Sequence, residues 1–193
     1  MKIILSSIVA SLLACSGSAQ AQLSNISGGF LLGGGYLEDP ARAFGFGQLR
    51  GTFYEDDSFS HTFFLEVLGS GDDATVFFDT PGGGVIAEDG DITFVNITIN
   101  YELEAKLCGP ISAYAGGGVG IEIVDLEDRF DFSLDTDTNF VGQVFAGLRA
   151  DFGNGFEVRA GARFLIRDDF ELLGGQFATE DTFGYEIGAG FSF

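Results

Sequence analysis

The chain contains few residues of several types. Its 193 residues include no tryptophan, three prolines, two cysteines and one histidine. Only nine Lys and Arg stand against 29 Asp and Glu, which gives a formal net charge of −20. Because nucleic-acid affinity depends mainly on neutralising phosphates, we expect no nucleic-acid partner. The acidic surface can instead attract cations or basic surface partners.

The first 21 residues have the pattern of a secretory signal peptide. Lys2 gives a basic start, a mostly apolar stretch spans 3–13, and residues 19–21 read Ala-Gln-Ala, a small-x-small cleavage site. Cleavage after Ala21 leaves one mature domain, 22–193. Loss of Lys2 leaves eight basic residues.

An alternative for the leader is lipidation. Residues 12–15 read Leu-Leu-Ala-Cys, which would make Cys15 a lipidated N-terminus. If Cys15 is removed with the leader, Cys108 is the only mature cysteine and no internal disulfide can form.

No apolar run after the leader reaches the length of a membrane-spanning helix, about 18 residues or more. If the chain is embedded in a membrane, only a closed β-barrel remains, because lipid offers no partner for an open backbone edge.

The end of the chain has the clearest strand pattern. Odd positions from Phe183 to Phe193 are all apolar, and even positions from Thr182 to Ser192 are all small or polar. This period of two predicts a strand with one apolar and one polar face. A helix is disfavoured, because each of the three interior glycines would cost about 1 kcal/mol relative to alanine.

Eight segments read as strands. They span residues 26–37, 43–54, 59–68, 92–107, 111–124, 139–152, 156–167 and 182–193. The connectors between them alternate in length. The short connectors are 55–58, 108–110 and 153–155, and the long acidic ones are 69–91, 125–138 and 168–181. Residues 38–42 are the one exception, a short connector at the end of the barrel where the other connectors are long. Asn154-Gly155 between two alternating runs is a strong hairpin signal.

Alternation assigns each strand an outer and an inner face, and most of the basic residues fall inside. The predicted lumen charge network comprises Arg50, Glu66, Glu102, Glu104, Lys106, Glu122, Arg149, Asp151, Glu157, Arg159, Arg163, Arg167 and Glu186. Buried charges cost several kcal/mol each unless they are paired, so we expect ion pairs across a polar lumen. An open sheet with solvated charges is the alternative, but it gives no reason for arginines in strands and acids in connectors.

The first two strands are glycine-rich and their facing is ambiguous. Leu49 outside with Gln48 and Arg50 inside is the preferred assignment. Aromatic residues are predicted to form a girdle at each end of the barrel. The girdle members are Phe53, Phe59, Phe152, Phe156, Phe191 and Phe193 at the end with short turns, and Tyr36, Phe94, Phe140 and Phe183 at the other. Interfacial belts favour Trp and Tyr, whereas this chain offers mainly Phe.

The terminal strand resembles the C-terminal insertion signal of bacterial outer-membrane β-barrels. The matching residues are Glu186, Gly188, Phe191 and the final Phe193. With the leader, the eight strands and the loop asymmetry, the mature chain resembles small barrels of the OmpA transmembrane-domain, OmpX and opacity-protein type. That resemblance implies an all-β fold, an eight-stranded antiparallel up-and-down transmembrane β-barrel. It also implies location in the outer membrane, with long loops outside and short turns in the periplasm.

The same resemblance implies a non-enzymatic protein with a structural or surface-interaction role. Its implied partners are outer-membrane lipid and the barrel-assembly machinery, which reads the C-terminal strand. We expect a monomer without a cofactor.

Two other functions stay open. Lipid-A-modifying barrel enzymes use a His with Ser or Asp partners, and His61 has Asp57, Ser58 and Ser60 close in sequence, although Ser60 points to the opposite face. A soluble secreted barrel that binds a small apolar ligand would instead need its oily side chains inside. For the last strand that means Phe183, Tyr185 and Ile187 inward and Glu186 outward.

No metal site is predicted. Residues 135–139 read Asp-Thr-Asp-Thr-Asn, which begins like a calcium loop but lacks Gly at the sixth position and Glu at the twelfth. The acidic connectors could still bind divalent cations weakly through carboxylate oxygens.

Overall fold

The computed structural model describes residues 27–38, 41–79, 85–128, 133–172, 175–177 and 180–193. The predicted signal peptide and the lipidation site at Cys15 lie outside these ranges. No helix within them is long and apolar enough to cross a membrane.

Eight strands close into one antiparallel up-and-down barrel, which confirms the predicted fold class. The barrel strands are β1 (Ser27–Leu37), β2 (Arg42–Glu55), β3 (Phe59–Asp79), β4 (Val85–Cys108), β5 (Ile111–Asp128), β6 (Ser133–Asp151), β7 (Phe156–Arg167) and β10 (Thr182–Ser192). Strands β8 (Phe170–Leu172) and β9 (Gly175–Phe177) form a separate small hairpin between β7 and β10.

The first and last strands meet at a closing seam. β1 pairs with β10 in antiparallel register from Gly29 opposite Ser192 to Leu37 opposite Gly184. Beyond the first of these pairs, Gly28 and Phe193 exchange backbone hydrogen bonds of 2.9 and 2.8 Å. Every barrel strand therefore has two hydrogen-bonded neighbours, and the barrel has no free edge.

Three tight turns lie at one end of the barrel, which we call the turn end. They follow β2, β4 and β6, and the glycines Gly109, Gly153 and Gly155 in the latter two have φ values of 55°, 75° and 81°. Only glycine takes this left-handed conformation without strain. In the turn after β2, Asp56 Oδ1 accepts hydrogen bonds of 2.7 Å from the backbone N–H groups of Ser58 and Phe59.

The opposite end, which we call the hairpin end, differs from the sequence prediction. β3 and β4 stay paired as far as Asp79 opposite Val85, although 69–91 was predicted to be a long loop. Strands β5 and β6 extend in the same way, and 168–181 contains the β8–β9 hairpin. Acidic composition marked these segments as loops, but residues 75–78 read Thr-Val-Phe-Phe, all of them residue types favoured in strands.

The interior of the barrel is mixed rather than wholly polar. Most inward side chains are charged or amide, but Leu31, Leu37, Phe44, Phe46, Leu68 and Leu165 form a buried apolar patch. Glycines on β1 make this patch possible. A Cβ on Gly33 would lie 2.7 Å from Phe46 Cε1, and one on Gly35 would lie 2.5 Å from Phe44 Cζ. The glycine-rich strand thus makes room for the two aromatic rings of its neighbour.

The outer surface carries the large apolar side chains. Ile99 on β4 is 66% exposed, and Ile187 on β10 is 62% exposed. Glu102, on the same strand as Ile99 but on its inner face, has no exposed area. The preferred facing of β2 agrees with the structure, since Gln48 and Arg50 are buried inside. The barrel is therefore mainly polar inside and apolar on its outer surface.

Candidate functional site: the charged lumen

The lumen gathers most of the thirteen charged residues predicted to face inward. Those that are buried are Arg50, Glu66, Glu102, Glu104, Glu122, Glu157, Arg159, Arg163 and Arg167. Arg149, Asp151 and Glu186 are half-buried inside, and Lys106 is exposed at the turn end, where its Nζ lies 2.9 Å from Glu55 Oε1.

Arg163 on β7 is the centre of the middle layer of the lumen. Its guanidinium Nη1 lies 2.8 Å from Glu66 Oε1 on β3, and its Nε donates at 2.6 Å to Glu186 Oε2 on β10. One buried cation is thus held between carboxylates from two other strands. Such charge-assisted contacts are the stronger class of protein hydrogen bonds.

Gln143 completes the hydrogen bonding of this layer. Its Nε2 donates to Glu66 Oε1 at 2.8 Å and to Asn100 Oδ1 at 2.7 Å, and its Oε1 accepts from Arg163 Nη1 at 2.9 Å. Gln48 Nε2 donates to the second oxygen of Glu66 at 2.7 Å. Gln143 was not among the predicted lumen residues, although its odd position on β6 matches that of Arg149.

Glu102 on β4 forms the next layer toward the turn end. Its Oε1 accepts from Arg50 Nη2 at 2.5 Å, and its Oε2 pairs with Arg159 Nη2. The Arg159 guanidinium also lies 3.7 Å from the ring centroid of Tyr114, a cation–π contact. Two arginines therefore share one carboxylate, and one of them also lies over an aromatic face.

Arg149 lies closest to the turn end. Three carboxylates surround it: Glu104 at 2.6 Å, Glu157 at 2.8 Å and Asp151 at 3.3 Å. Ser112 Oγ donates a further hydrogen bond of 2.6 Å to Glu104. In this layer the carboxylates outnumber the arginine.

The hairpin end of the lumen holds a buried arginine that sequence analysis missed. Arg42 was placed in a connector, but β2 begins at this residue and its even position turns it inward with Arg50. Its guanidinium lies 3.8 Å from the ring centroid of Phe94. Phe94 is itself buried in the lumen, so its prediction as a member of the outer girdle was wrong. Its parity with Asn96 already pointed inward.

Arg42 and its neighbour Arg167 are poorly satisfied. Arg167 Nη2 lies 3.0 Å from Glu122 Oε2, whereas within the described part of the chain none of the three guanidinium nitrogens of Arg42 has a hydrogen-bond partner. This end of the lumen thus brings two cations close to one carboxylate, that of Glu122, and only Arg167 is in direct contact with it.

His61 lies on the outer face, among aromatic side chains. Its Nδ1 is 2.6 Å from the Tyr101 hydroxyl, and the rings of Phe53 and Tyr54 lie 5.9 and 5.3 Å away. Ser60 is buried on the lumen side of the same strand. The structure therefore places His61 in an aromatic cluster and not beside Ser60.

The last strand excludes the apolar-ligand barrel. Phe183, Tyr185 and Ile187 are exposed on the outside, while Glu186 reaches Arg163 in the lumen. This facing is the opposite of what an oily interior requires.

The residues that resemble an insertion signal lie on both faces of β10. Glu186 and Gly188 face the lumen, whereas Phe191 and Phe193 are exposed outside at the turn end. Phe191 packs against Phe156 and Phe30, with ring centroids 5.3 and 6.0 Å apart.

No group of three or more His, Cys, Asp or Glu within the described residues is arranged to hold a metal ion. Most of the acidic connectors in which weak cation binding was predicted have no described side chains.

No family model and no curated protein matches the sequence. Solved structures of small outer-membrane barrels are similar to it. A major outer membrane protein from Thermus thermophilus matches with a TM-score of 0.52 and 13% identity, over 87% of this chain and 99% of that one. Ail, the attachment invasion locus protein of Yersinia pestis, matches with a TM-score of 0.51 and 16% identity, over 89% and 100%.

Neisserial surface protein A also matches, with a TM-score of 0.51 and 10% identity over 86% of this chain and 94% of that one. At these identities the likeness extends to the fold. The predicted resemblance to small bacterial outer-membrane barrels is therefore confirmed as a resemblance of fold.

Proposed function

We propose that this chain is a non-enzymatic integral barrel of the bacterial outer membrane with a structural or surface-interaction role. One observation supports this most strongly: the barrel is inside-out, with large apolar side chains exposed around it and arginine–carboxylate layers sealed within. In water the outer surface would be an unusually large apolar patch. Acyl chains are the solvent in which that surface is stable.

The dimensions support the same placement. A tilted strand needs about 9–11 residues to cross the hydrocarbon region. The shortest barrel strands, β1 and β10, have 11 residues each, and β7 has 12. The longest strands, β3 to β6, extend past them chiefly at the hairpin end, as expected where loops are presented outside and turns lie in the periplasm.

The hairpin end would then carry the surface interactions. Its acidic character favours cations or basic surface partners. Ail has been solved with a heparin analogue, sucrose octasulfate. A polyanion of that kind would be repelled by acidic hairpins, so we propose a partner of the opposite charge for this chain.

Cell fractionation tests the proposal. Cells expressing the full chain are extracted with sarkosyl, and the insoluble fraction is run on gels with and without boiling. We expect the protein in the outer-membrane fraction with a heat-dependent shift in mobility. A freely soluble periplasmic product would overturn the proposal.

The enzymatic alternative is tested in the same cells. If His61 served lipid modification, His61→Ala would change the lipid A profile while the heat-dependent shift is retained. We expect the same lipid A profile from cells that express the unaltered chain and from cells that express His61→Ala. A difference between the two profiles would make the protein an enzyme.

Conduction separates a filled barrel from a pore. The Arg163 and Glu102 layers fill the lumen, and an eight-stranded barrel is just wide enough for its side chains. We expect no stable, sizeable single-channel conductance from purified protein in planar bilayers.

A further inference from the structure

A cavity of about 480 Å³ opens into the barrel at the turn end. Its volume lies in the range of small-molecule sites, roughly 300–1,000 Å³. Its inner wall is formed by Glu104, Arg149 and Glu157, and Ile111 and Phe193 line it as well. The cavity thus has a charged inner wall.

Negative charge exceeds positive charge in this cavity. The lining includes four carboxylates, from Glu55, Glu104, Asp151 and Glu157, and three cations. Arg149 alone faces three of those carboxylates. One guanidinium carries one charge and cannot neutralise three carboxylates by itself. Arg50 and Lys106 add only longer-range attraction to Glu157 and Glu104, so part of the negative charge stays available to another cation.

The other two cations are already engaged. Lys106 is paired with Glu55 at 2.9 Å, and Arg50 is held by Glu102 at 2.5 Å. Neither of these pairs involves the carboxylates around Arg149.

Glu157 shows an unmet need for a donor. Its residue is 3% exposed, and its Oε1 has no hydrogen-bond partner among the described residues, although its Oε2 lies 2.8 Å from Arg149. A buried acceptor without a partner costs free energy, which a donor in the cavity would recover. Glu157 combines this vacant acceptor with a position on the cavity wall.

We propose that the turn-end cavity is a binding site for a linear alkyl polyamine. One ammonium group is held by Glu157 and Glu104 on the inner wall, and its methylene chain leads along the cavity toward Asp151. A second ammonium group is held by Asp151, whose side chain is half-exposed. Three N–H donors on each ammonium match the carboxylate acceptors around Arg149.

Titration calorimetry with spermidine tests the site in the full chain purified in detergent micelles. Two variants remove the same single charge from opposite ends: Glu157→Gln in the cavity, and Asp72→Asn on β3 at the hairpin end. We expect Glu157→Gln to weaken spermidine binding by on the order of tenfold, which corresponds to about 1.4 kcal/mol. Asp72→Asn should leave the titration unchanged.

Two controls keep the result interpretable. The heat-dependent gel shift establishes that Glu157→Gln has folded, and if it has not, Asp151→Asn at the more exposed part of the same cavity replaces it. An alkanediol of similar length should give no binding, since it lacks the positive charges.

Three outcomes would overturn the site. They are no spermidine binding to the unaltered chain, equal binding by the unaltered chain and the cavity variants, and diol binding as tight as spermidine binding. Equal loss in Glu157→Gln and Asp72→Asn would assign the binding to general acidity and would overturn it too.

Discussion

The middle and the hairpin end of the lumen contain the same residue types but satisfy them differently. In the middle, Arg163 has carboxylates from two strands and an amide acceptor from Gln143. At the hairpin end, Arg42 lies against the ring of Phe94 without a hydrogen-bond partner among the described residues, and Arg167 shares the region with the carboxylate of Glu122. Buried arginines are therefore fully paired in one part of the lumen and incompletely paired in another.

The difference shows that completeness of pairing decides whether a buried charge stabilises. A fully satisfied network is rigid, whereas a buried polar group without a partner costs free energy. We therefore expect the hairpin end to open locally before the middle does, as regions of low local stability do. Substitutions at the two ends should separate these contributions.

The largest effect is expected from reversing the central charge. Arg163→Glu removes the partner of Glu66 and Glu186 and places a third carboxylate beside them. Breaking a buried pair costs about 3–5 kcal/mol, and reversal should cost at least that much. Urea unfolding of the refolded barrel in micelles measures it. Stability like that of the unaltered chain would mean that Arg163 is solvated.

A smaller loss is expected in the adjacent layer. Glu102→Gln keeps an acceptor oxygen but leaves Arg50 and Arg159 facing each other without the carboxylate that they share. We expect a loss of about 3 kcal/mol in the free energy of unfolding, measured in the same way. Glu55→Gln in the exposed pair with Lys106 is the matched control and should change stability by less than about 1 kcal/mol.

The comparison predicts a near-neutral result at Arg42. Arg42→Met removes a cation that lacks a hydrogen-bonded carboxylate among the described residues and keeps an unbranched chain over Phe94. The lost cation–π contact is worth up to about 2 kcal/mol, which relief from desolvation should offset. We expect unfolding free energy within about 1 kcal/mol of the unaltered chain, or higher. A loss like that of Arg163→Glu would show that Arg42 has an essential partner.

The smallest effect belongs to the exposed turn after β2. The backbone N–H groups of Ser58 and Phe59 hold the pKa of Asp56 below its ordinary value. Because the folded-state pKa is lowered, the carboxylate stabilises the fold above its unfolded pKa, about 3.9, and this contribution disappears as pH falls through the folded value. Asp56→Asn should be slightly less stable at neutral pH and indistinguishable in acid. A difference that persists in acid would point to a cause other than ionisation.

The strand bounds and facing were predicted most accurately where apolar and polar residues alternate strictly in the sequence. In β7, apolar side chains outside alternate with mostly charged side chains inside, so its bounds and the facing of Arg159 and Arg163 followed directly. In β1 and β2, glycine removes the contrast between faces, which concealed the inward Phe44 and Phe46.

The hairpin end was predicted least well, for a different reason. Strands that extend beyond the apolar outer surface of the barrel need no apolar face. Their acidic residues were therefore predicted to be loops. Arg42 was missed because the boundary of β2 was set one residue too late. Its surroundings depend on contacts across several strands, which no local pattern contains.

The seam between β1 and β10 makes a circular permutant of the chain feasible. Gly28 and Phe193 exchange backbone hydrogen bonds, so the two ends of the cylinder wall lie side by side. A short linker between them, with new termini opened at the turn of Gly153, would give a circular permutant with every strand neighbour preserved. Deleting β10 would instead leave two unpaired strand edges, because β10 is the hydrogen-bonded neighbour of both β1 and β7.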